Sequence, residues 1–239
     1  MTWSIIARDP VSGRLGVAVA TYSVAVGSRC PFVRPGVGAV ATQSITNRYL
    51  AVSVLDALEV TKNPRDALEQ ALVADEGREF RQIHVIDCAG EVAVWTGRHC
   101  VEACGHTADA GISVAGNTLK SAAVLDAALS AWRECASLPF AERLLSALGW
   151  GGDAGGDVRG TQSAALVVIG SDSLPEIDLR IDSSAQPIAA LRGLLDVWRA
   201  TVESTHGLRP SEENPGGSID FESWEAQWRE EGFDLKFRR

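Results

Sequence analysis

Short apolar stretches separated by turn residues dominate the first part of the chain. Thr2–Ala7 and Leu15–Ala20 are apolar and rich in β-branched residues, and Asp9–Gly13 between them carries the proline and glycine of a tight turn. Gly36–Thr42 is a third apolar run, and it ends just before Gln43. Short apolar runs bounded by turn residues are typical of strands, so three β-strands are predicted here.

Helical spacing begins after the third predicted strand. Between Tyr49 and Val60 the leucines and valines fall on one helical face, and Asn63 and Pro64 then supply an N-cap and a first-turn proline for a second helix, to about Ala74. The remaining predicted elements are, in order, a hairpin at Gln82–Asp87 and Glu91–Thr96, strands at Val101–Thr107 and Ile112–Ala115, helices at Lys120–Arg133 and Phe140–Leu148, a polar loop at Gly149–Gly160, strands at Ser163–Ile169 and Ile177–Ile181, and a helix at Pro187–Val202.

The predicted strands and helices follow one another in blocks rather than singly. Blocks favour a layered α+β architecture with mostly antiparallel sheets over a doubly wound parallel sheet, in which strands and helices alternate. No glycine-rich phosphate-binding motif follows a strand, so the pattern gives no support to nucleotide binding.

Composition changes near the C-terminus. Ser204–Gly217 is rich in Glu, Pro, Gly and Ser, as linkers are, so residues 1–205 are expected to form one domain. In the remaining segment, 206–239, Phe221, Trp224 and Trp228 recur at the spacing of a short amphipathic helix. Its aromatic face either packs on its own chain or on the second subunit of a homodimer, or serves a dedicated partner.

The charge and the apolar runs exclude several classes of partner. The chain has 239 residues, with 22 Lys and Arg against 31 Asp and Glu and a formal net charge of −9, which gives no electrostatic basis for binding nucleic acid. Its apolar runs are well short of the roughly 20 residues that span a bilayer, so no membrane partner and a cytoplasmic location are expected. Its 5 cysteines are expected to stay reduced.

The second residue offers catalytic chemistry. If Met1 is removed, Thr2 becomes the first residue, at the edge of a predicted strand. The hydroxyl of an N-terminal threonine is a nucleophile that carries its own base, because an α-amino group has a pKa of about 7.7–8.0 and is partly neutral at pH 7. A Met-Thr start is common among proteins, and on its own it is weak evidence of catalysis.

Several separated sequence blocks carry a family resemblance. These blocks are Thr2–Asp9 (TWSIIARD), Gly16–Ala20 (GVAVA), Gly36–Gln43 (GVGAVATQ), Gly116–Asn117 and Gly155–Ala165 (GGDVRGTQSAA). In this order they resemble the family of unknown function numbered 1028, which is placed among N-terminal-nucleophile (Ntn) hydrolase-like proteins, over about residues 2 to 198. The resemblance implies a four-layer αββα sandwich of two mostly antiparallel sheets. It implies no particular substrate.

The wider Ntn class suggests roles for a few residues. Thr2 matches its nucleophile and base. The class often places a cation near the nucleophile, for which Arg34 is the first candidate and Arg8 the second. A backbone donor at the end of the third strand would form the oxyanion hole at Thr42 or Gln43. Asn117 would add a side-chain amide to that hole, and turn or cap chemistry is the alternative reason for an asparagine at that position.

A glycine-rich polar segment before a predicted strand is the candidate substrate-binding loop. Asp157 and Arg159 either pair with each other, or Arg159 holds a substrate carboxylate. Ser163 is expected to hydrogen-bond the free α-amine. The set of predicted substrate-binding residues is completed by Gln162, Ser23 and Arg8.

A second constellation has the residue types of a zinc site: His99, Cys100, Cys104 and His106. In a strand His99 would point away from the other three, so no metal and no cofactor are expected. Buried small cysteines are the alternative. His84 has no partner in the sequence and is expected to be structural or solvated.

Three functions follow from these residues. The first is an N-terminal-threonine amidohydrolase that cleaves a small polar amide through an acyl-enzyme without a cofactor. The second is a non-catalytic small-molecule-binding or assembly protein on the same fold. The third, a zinc-dependent hydrolase, depends on the histidine and cysteine cluster.

Overall fold

Residues 2–238 are described by the computed structural model, which contains ten strands and six α-helices in that range. In chain order they are β1 (Thr2–Arg8), β2 (Leu15–Thr21), β3 (Pro31–Arg34), β4 (Gly38–Ser44), α1 (Arg48–Thr61), α2 (Pro64–Val73), β5 (Arg81–Asp87), β6 (Val92–Thr96), β7 (Gly105–Asp109), β8 (Ile112–Asn117), α3 (Ala123–Glu134), α4 (Phe140–Asp153), β9 (Ser163–Ile169), β10 (Ile177–Ile181), α5 (Pro187–Thr201) and α6 (Phe221–Glu230).

The strands form two antiparallel sheets. The six-stranded sheet has the order β10-β9-β2-β1-β8-β7, and the four-stranded sheet has the order β3-β4-β5-β6. The sheets face each other through β1, β2 and β8 on one side and β4 and β5 on the other. Helices α3 and α4 cover the outer face of the six-stranded sheet, and α1 and α2 cover that of the four-stranded sheet. The αββα sandwich with antiparallel sheets is thus confirmed.

Strand β1 lies inside the six-stranded sheet and is buried on both faces. Trp3 and Ile5 point to the helices, where the Trp3 indole Nε1 donates to the main-chain oxygen of Leu148 at 3.2 Å. Ser4 and Ile6 point to the second sheet, because side chains alternate between the faces of a strand. The start of β1 therefore lies at one end of the contact between the two sheets.

The predicted helix starts are confirmed at the level of single hydrogen bonds. Asn47 Oδ1 accepts from the main-chain nitrogens of Tyr49 and Leu50 at the start of α1. Asn63 caps α2 in the same way, with Pro64 in the first turn. Such caps satisfy main-chain donors that have no partner inside the helix.

The three largest differences from the sequence prediction concern β3, β7 and α4. The four-residue edge strand β3 is not predicted, because prolines at positions 31 and 35 interrupt its apolar pattern. β7 begins only at Gly105, later than the predicted Val101. α4 continues to Asp153, through glycines that the sequence pattern assigns to a loop. One of these glycines, Gly151, packs against Trp3, and a Cβ at this position would lie 3.0 Å from the indole nitrogen.

The described chain separates into two compact units between Arg192 and Gly193. Composition alone predicts a boundary near residue 205. In the second unit α6 confirms the predicted short helix. The ring centres of Trp224 and Trp228 lie 6.3 Å apart, and the ring centre of Trp228 lies 4.9 Å from that of Phe237, which follows the helix. Within residues 2–238, none of the helices combines the length and the apolar character that crossing a bilayer requires.

Candidate functional site

Four polar side chains form a row at the end of the six-stranded sheet. Thr2 is the cross-strand partner of Thr21 on β2 and of Asn117 on β8, and Thr21 is the partner of Ser163 on β9. Cross-strand partners place their Cβ atoms on the same face, about 4.5–5.5 Å apart. Thr2 Oγ1 donates to Thr21 Oγ1 at 3.1 Å, and Thr2 is 6% exposed. The structure thus brings together three sequence-predicted site residues, Thr2, Asn117 and Ser163.

A buried hydrogen-bond network starts beside this row and is centred on Gln82. Gln82 Nε2 donates to the main-chain oxygens of Gly105 and Gly116 at 3.0 and 2.9 Å. Because carbonyl oxygens only accept, these contacts fix which end of the Gln82 amide is nitrogen. Gln82 Oε1 then accepts from Gln43 Nε2 at 2.8 Å and from Asn117 Nδ2 at 3.0 Å. The orientations of all three amides follow from these contacts.

The donor and acceptor assignments can be continued from Gln43 to a buried histidine. Ser4 Oγ donates to Gln43 Oε1 at 2.8 Å, so it must accept from His84 Nε2, which lies 2.9 Å away. His84 has no exposed surface, and burial lowers its pKa to about 3, so the ring is neutral at pH 7. With the proton on Nε2, His84 Nδ1 accepts from Ser113 Oγ at 3.0 Å. His84 thus has two partners that the sequence does not reveal.

One acceptor of the network is left over at the Thr2 end. Asn117 Oδ1 is buried and has no hydrogen-bond partner among the described residues, although Asn117 Nδ2 is bound to Gln82. The hydroxyl of the next residue, Thr118, is likewise a buried oxygen without a partner among residues 2–238. Buried polar groups without partners are uncommon in folded proteins and call for an explanation.

Unusual backbone conformations gather at the same end of the sandwich. Ala25, Ser44 and Thr118 have φ values of 56°, 71° and 53°. Ala25 lies four residues after the end of β2, Ser44 ends β4, and Thr118 directly follows β8. The ends of β2 and β8 lie beside Thr2, and Gln43, next to the end of β4, binds Ser4 of β1. Left-handed backbone costs a non-glycine residue about 1 kcal/mol or more, and such residues concentrate at functional sites.

The donors predicted for an oxyanion hole are engaged elsewhere. The Thr42 main-chain nitrogen donates to the Cys30 oxygen at 3.1 Å, and the Thr42 side chain binds the Asn47 oxygen on the helix side of the sheet. Gln43 Nε2 and Asn117 Nδ2 both donate to Gln82 Oε1. For Gln43 the predicted donor is the main-chain nitrogen. Gln43 pairs with Gln82 in the ladder between β4 and β5, and because the Thr42 nitrogen points to the β3 side, the Gln43 nitrogen points to β5. All three predicted donors therefore have partners within the protein.

The two predicted cations do not reach Thr2. The Arg34 guanidinium donates to Asp56 at 2.7 Å and to Glu59 at 2.9 Å, both on α1, because β3 directs Arg34 toward that helix. Arg8 stands at the opposite end of β1 from Thr2, six residues away, which is about 20 Å along a strand. Arg34 is therefore paired with carboxylates of α1, and Arg8 lies at the far end of β1 from Thr2.

The predicted substrate-binding loop closes on itself next to the row. The Asp157 carboxylate, 2% exposed, accepts from Arg159 at 2.7 Å and from the Tyr22 main-chain nitrogen at 3.3 Å. The Arg159 guanidinium also lies over the Tyr22 ring, 4.4 Å from its centre. Of the two alternatives from sequence, Asp157 and Arg159 therefore form the ion pair, and that pair ties the loop to the segment after β2.

Ser163, Gln162 and Ser23 hold the same segment in place. Ser163 Oγ donates to the Ser23 main-chain oxygen at 2.5 Å and accepts from the Val26 nitrogen at 3.1 Å. The Gln162 main-chain nitrogen donates to the Thr21 oxygen at 2.8 Å. Ser163 Oγ is therefore engaged by the main chain of residues 23 and 26.

The histidine and cysteine cluster has separate partners. Cys100 Sγ contacts the Arg81 main-chain oxygen, and Cys104 Sγ contacts the Cys100 oxygen. The His99 ring packs on Phe80 with centres 4.9 Å apart. No group of three or more metal-ligating side chains occurs among residues 2–238.

The fold and this site define a class: an αββα sandwich whose first strand ends at a buried polar network between two antiparallel sheets. A family model, "Family of unknown function (DUF1028)", matches residues 2–191. The chain therefore belongs to the DUF1028 family, as the sequence blocks indicate.

Comparison with solved structures supports this membership. A crystal structure of a DUF1028 protein from Silicibacter pomeroyi matches with 31% sequence identity and a TM-score of 0.85, over 92% of this chain and 96% of that chain. Anbu (ancestral beta-subunit) from Yersinia bercovieri matches with 13% identity and a TM-score of 0.40, over 82% of this chain and 96% of that chain. That likeness is too low to carry an argument. The comparison with curated proteins gave no significant match.

Proposed function

We propose that this protein is an N-terminal-threonine amidohydrolase that acts on a small polar amide. After removal of Met1, Thr2 Oγ1 attacks the amide carbonyl carbon while the Thr2 α-amine takes the hydroxyl proton. The amine returns that proton to the departing nitrogen as the C–N bond breaks, which leaves an acyl ester on Thr2. Water, deprotonated by the same amine, then hydrolyses the ester and restores the enzyme.

The observation that carries this proposal is the position of Thr2. Its hydroxyl faces a polar layer between the sheets, beside Thr21 and Asn117, instead of apolar packing. Left-handed non-glycine residues lie after β2, at the end of β4 and after β8, at the same end of the sandwich. A nucleophile on a rigid inner strand, with strained residues in the segments at that end, is an arrangement expected of a preorganised catalytic centre.

The proposal needs an oxyanion donor other than the three that the sequence suggested. Those donors are bound to Cys30 and Gln82, and the developing negative charge must be met by another main-chain N–H or by a group of the substrate. No cofactor takes part in the proposed reaction, and the location is proposed to be cytoplasmic.

The test begins with the intact mass of the purified full-length protein. We expect a mass without Met1, turnover of at least one member of a panel of small amides, ureides and N-acyl amino acids, and a covalent acyl adduct on Thr2. Thr2→Ala should abolish turnover and Thr2→Ser should retain part of it, because serine keeps both hydroxyl and amine. Thr61→Ala, at the end of α1, is the matched control and should leave turnover unchanged. Retention of Met1, or activity that survives in Thr2→Ala, would refute the proposal.

A second candidate function is a binding or assembly protein, and one groove favours it. A cavity of about 850 Å³ is lined by residues of α2, β6 and β7, among them Leu72, Trp95 and Ala108, and Thr2 is not among the lining residues. The exposed aromatic tail at Phe221 would support a homodimer. This reading predicts a dimer by analytical ultracentrifugation that dissociates in a Trp228→Ala variant. A monomer of the full-length chain would refute the dimer.

A further inference from the structure

The unsatisfied Asn117 Oδ1 belongs to the residue that the nitrogen of Thr2 faces across the sheet. Along an antiparallel strand, N–H and C=O groups point alternately to the two neighbouring strands. The Arg8 nitrogen donates to the Gly111 oxygen just before β8, whereas the Asp9 nitrogen donates to the Arg14 oxygen just before β2. Even-numbered residues of β1 therefore direct their nitrogens toward β8. For Thr2, the residue met in that direction is Asn117.

Asn117 offers two acceptors to that nitrogen and one of them is unused. Its main-chain oxygen belongs to the ladder between β1 and β8, and its Oδ1 has no partner among the described residues. The Asn117 side-chain amide cannot exchange its oxygen and nitrogen positions, because Gln82 Oε1 needs Asn117 Nδ2 as a donor. Gln82 Oε1 is known to be the oxygen because the other end of that amide donates to two carbonyl oxygens. Oδ1 is therefore an acceptor, held in place, with nothing to accept.

A Thr2 nitrogen in a peptide bond has one hydrogen, which the strand ladder uses. A free α-amine has two hydrogens when neutral and three when protonated. We propose that Asn117 Oδ1 is the acceptor for the α-amine of Thr2 in the processed protein, so that Asn117 is the positioning residue of the N-terminal base. This inference rests on the proposed function only in that it requires Thr2 to be the first residue.

The geometry gives this contact a catalytic consequence. With one hydrogen of the neutral amine on the Asn117 main-chain oxygen and the other on Oδ1, the lone pair is left for the Thr2 hydroxyl or a bridging water. A proton acceptor works only when its lone pair faces the proton that it removes. Asn117 thus orients the base by accepting a hydrogen bond through Oδ1. The analogy with the Ntn class had instead suggested that its amide donates a hydrogen bond to the oxyanion.

The test measures the pKa of the Thr2 amine directly. The full chain from Thr2 onward is produced by cleavage of a removable leader placed directly before Thr2, with ¹³C-threonine labelling, and the Thr2 resonance is followed against pH. An acceptor held against the ammonium favours the charged form, so its loss should lower the amine pKa. We expect Asn117→Leu to lower it by about one unit or more. Ser113→Ala, at the far end of the same network, should leave it unchanged.

Each outcome decides the inference separately from the proposed function. Asn117→Asp, which places a carboxylate beside the amine, should raise the pKa, and it serves as the second variant if Asn117→Leu does not fold. An amine pKa that moves in neither variant, or that moves equally in Ser113→Ala, overturns the inference. Amide turnover and intact mass report on the proposed function, so an inactive protein with the expected pKa shifts would keep the inference and discard the hydrolase.

Discussion

The pH dependence of stability should reveal the neutral histidine at the centre of the sandwich. His84 is buried between the sheets, and burial lowers its pKa to about 3, against about 6.5 in the unfolded chain. As the pH falls below 6.5, the unfolded chain takes up a proton that the folded protein refuses, and stability is lost. The contribution is fully present above pH 6.5 and disappears progressively down to pH 3.

The size of this effect follows from the two pKa values. Between pH 7 and pH 5 the unfolded His84 goes from about one quarter protonated to almost fully protonated, while the folded one stays neutral, which removes about 2 kcal/mol of unfolding free energy. The figure is set almost entirely by the unfolded pKa, because both pH values lie well above 3. It is a large part of the roughly 5–15 kcal/mol that stabilises a typical domain.

Urea denaturation at pH 7 and pH 5 measures this loss. In His84→Gln the amide can still donate to Ser4 and accept from Ser113 but does not titrate, so the variant should lose about 2 kcal/mol less than the wild type between the two pH values. His106→Gln is the comparison: His106 is an exposed residue, and partial burial lowers its pKa without the full burial of His84, so this variant should reduce the loss by less than His84→Gln does. Equal losses in wild type and His84→Gln would refute the assignment of His84 as a buried neutral ring.

Two further substitutions test the packing of the sheets. Gln82→Leu leaves the buried amide nitrogens of Gln43 and Asn117 without an acceptor, removes the bonds that Gln82 Nε2 gives, and should cost about 3 kcal/mol or more in urea denaturation. Gln162→Leu, whose amide binds an exposed serine, should cost less than about 0.5 kcal/mol. A cost below about 1 kcal/mol for Gln82→Leu would contradict the network. Gly38→Ala places a Cβ 2.6 Å from the Ile86 main-chain oxygen and should cost about 1–3 kcal/mol, whereas Gly193→Ala meets open space in α5 and should not destabilise; equal melting temperatures for the two alanine variants would contradict this.

The fold follows from the sequence where local signals are strong. The caps at Asn63 and Pro64 and the runs at Thr2–Ala7 and Leu15–Ala20 mark their elements, because capping and side-chain alternation are decided within a few residues. β3 and the end of α4 were missed for the opposite reason. A short edge strand and a glycine-rich helical turn depend on contacts with distant partners such as Trp3.

The site was only partly predictable from the sequence. Thr2 and Asn117 are cross-strand partners, because Thr2 begins β1 and Asn117 ends β8, and the sequence pattern marks both strands clearly. Arg34 pairs with carboxylates of α1, and no local sequence rule connects position 34 with Asp56. A usable signal was present at Gln82 and His84: polar residues two apart in an apolar strand must share one face, and a buried face that carries both requires a network.

The network also gives a reason to look for function at the Thr2 end in particular. At its far end, the chain of donors closes on Ser113, whose hydroxyl finds an acceptor in the neutral His84 ring. At its near end it stops at Asn117 with an acceptor unused. A network that served only to join two sheets would be expected to satisfy both ends, since each open end costs stability. The measurements on His84 and Asn117 variants therefore test the two ends of the network separately. His84→Gln should leave the pKa of the Thr2 amine unchanged, because glutamine can replace both hydrogen bonds of His84 and so preserve the donor and acceptor assignments of the network.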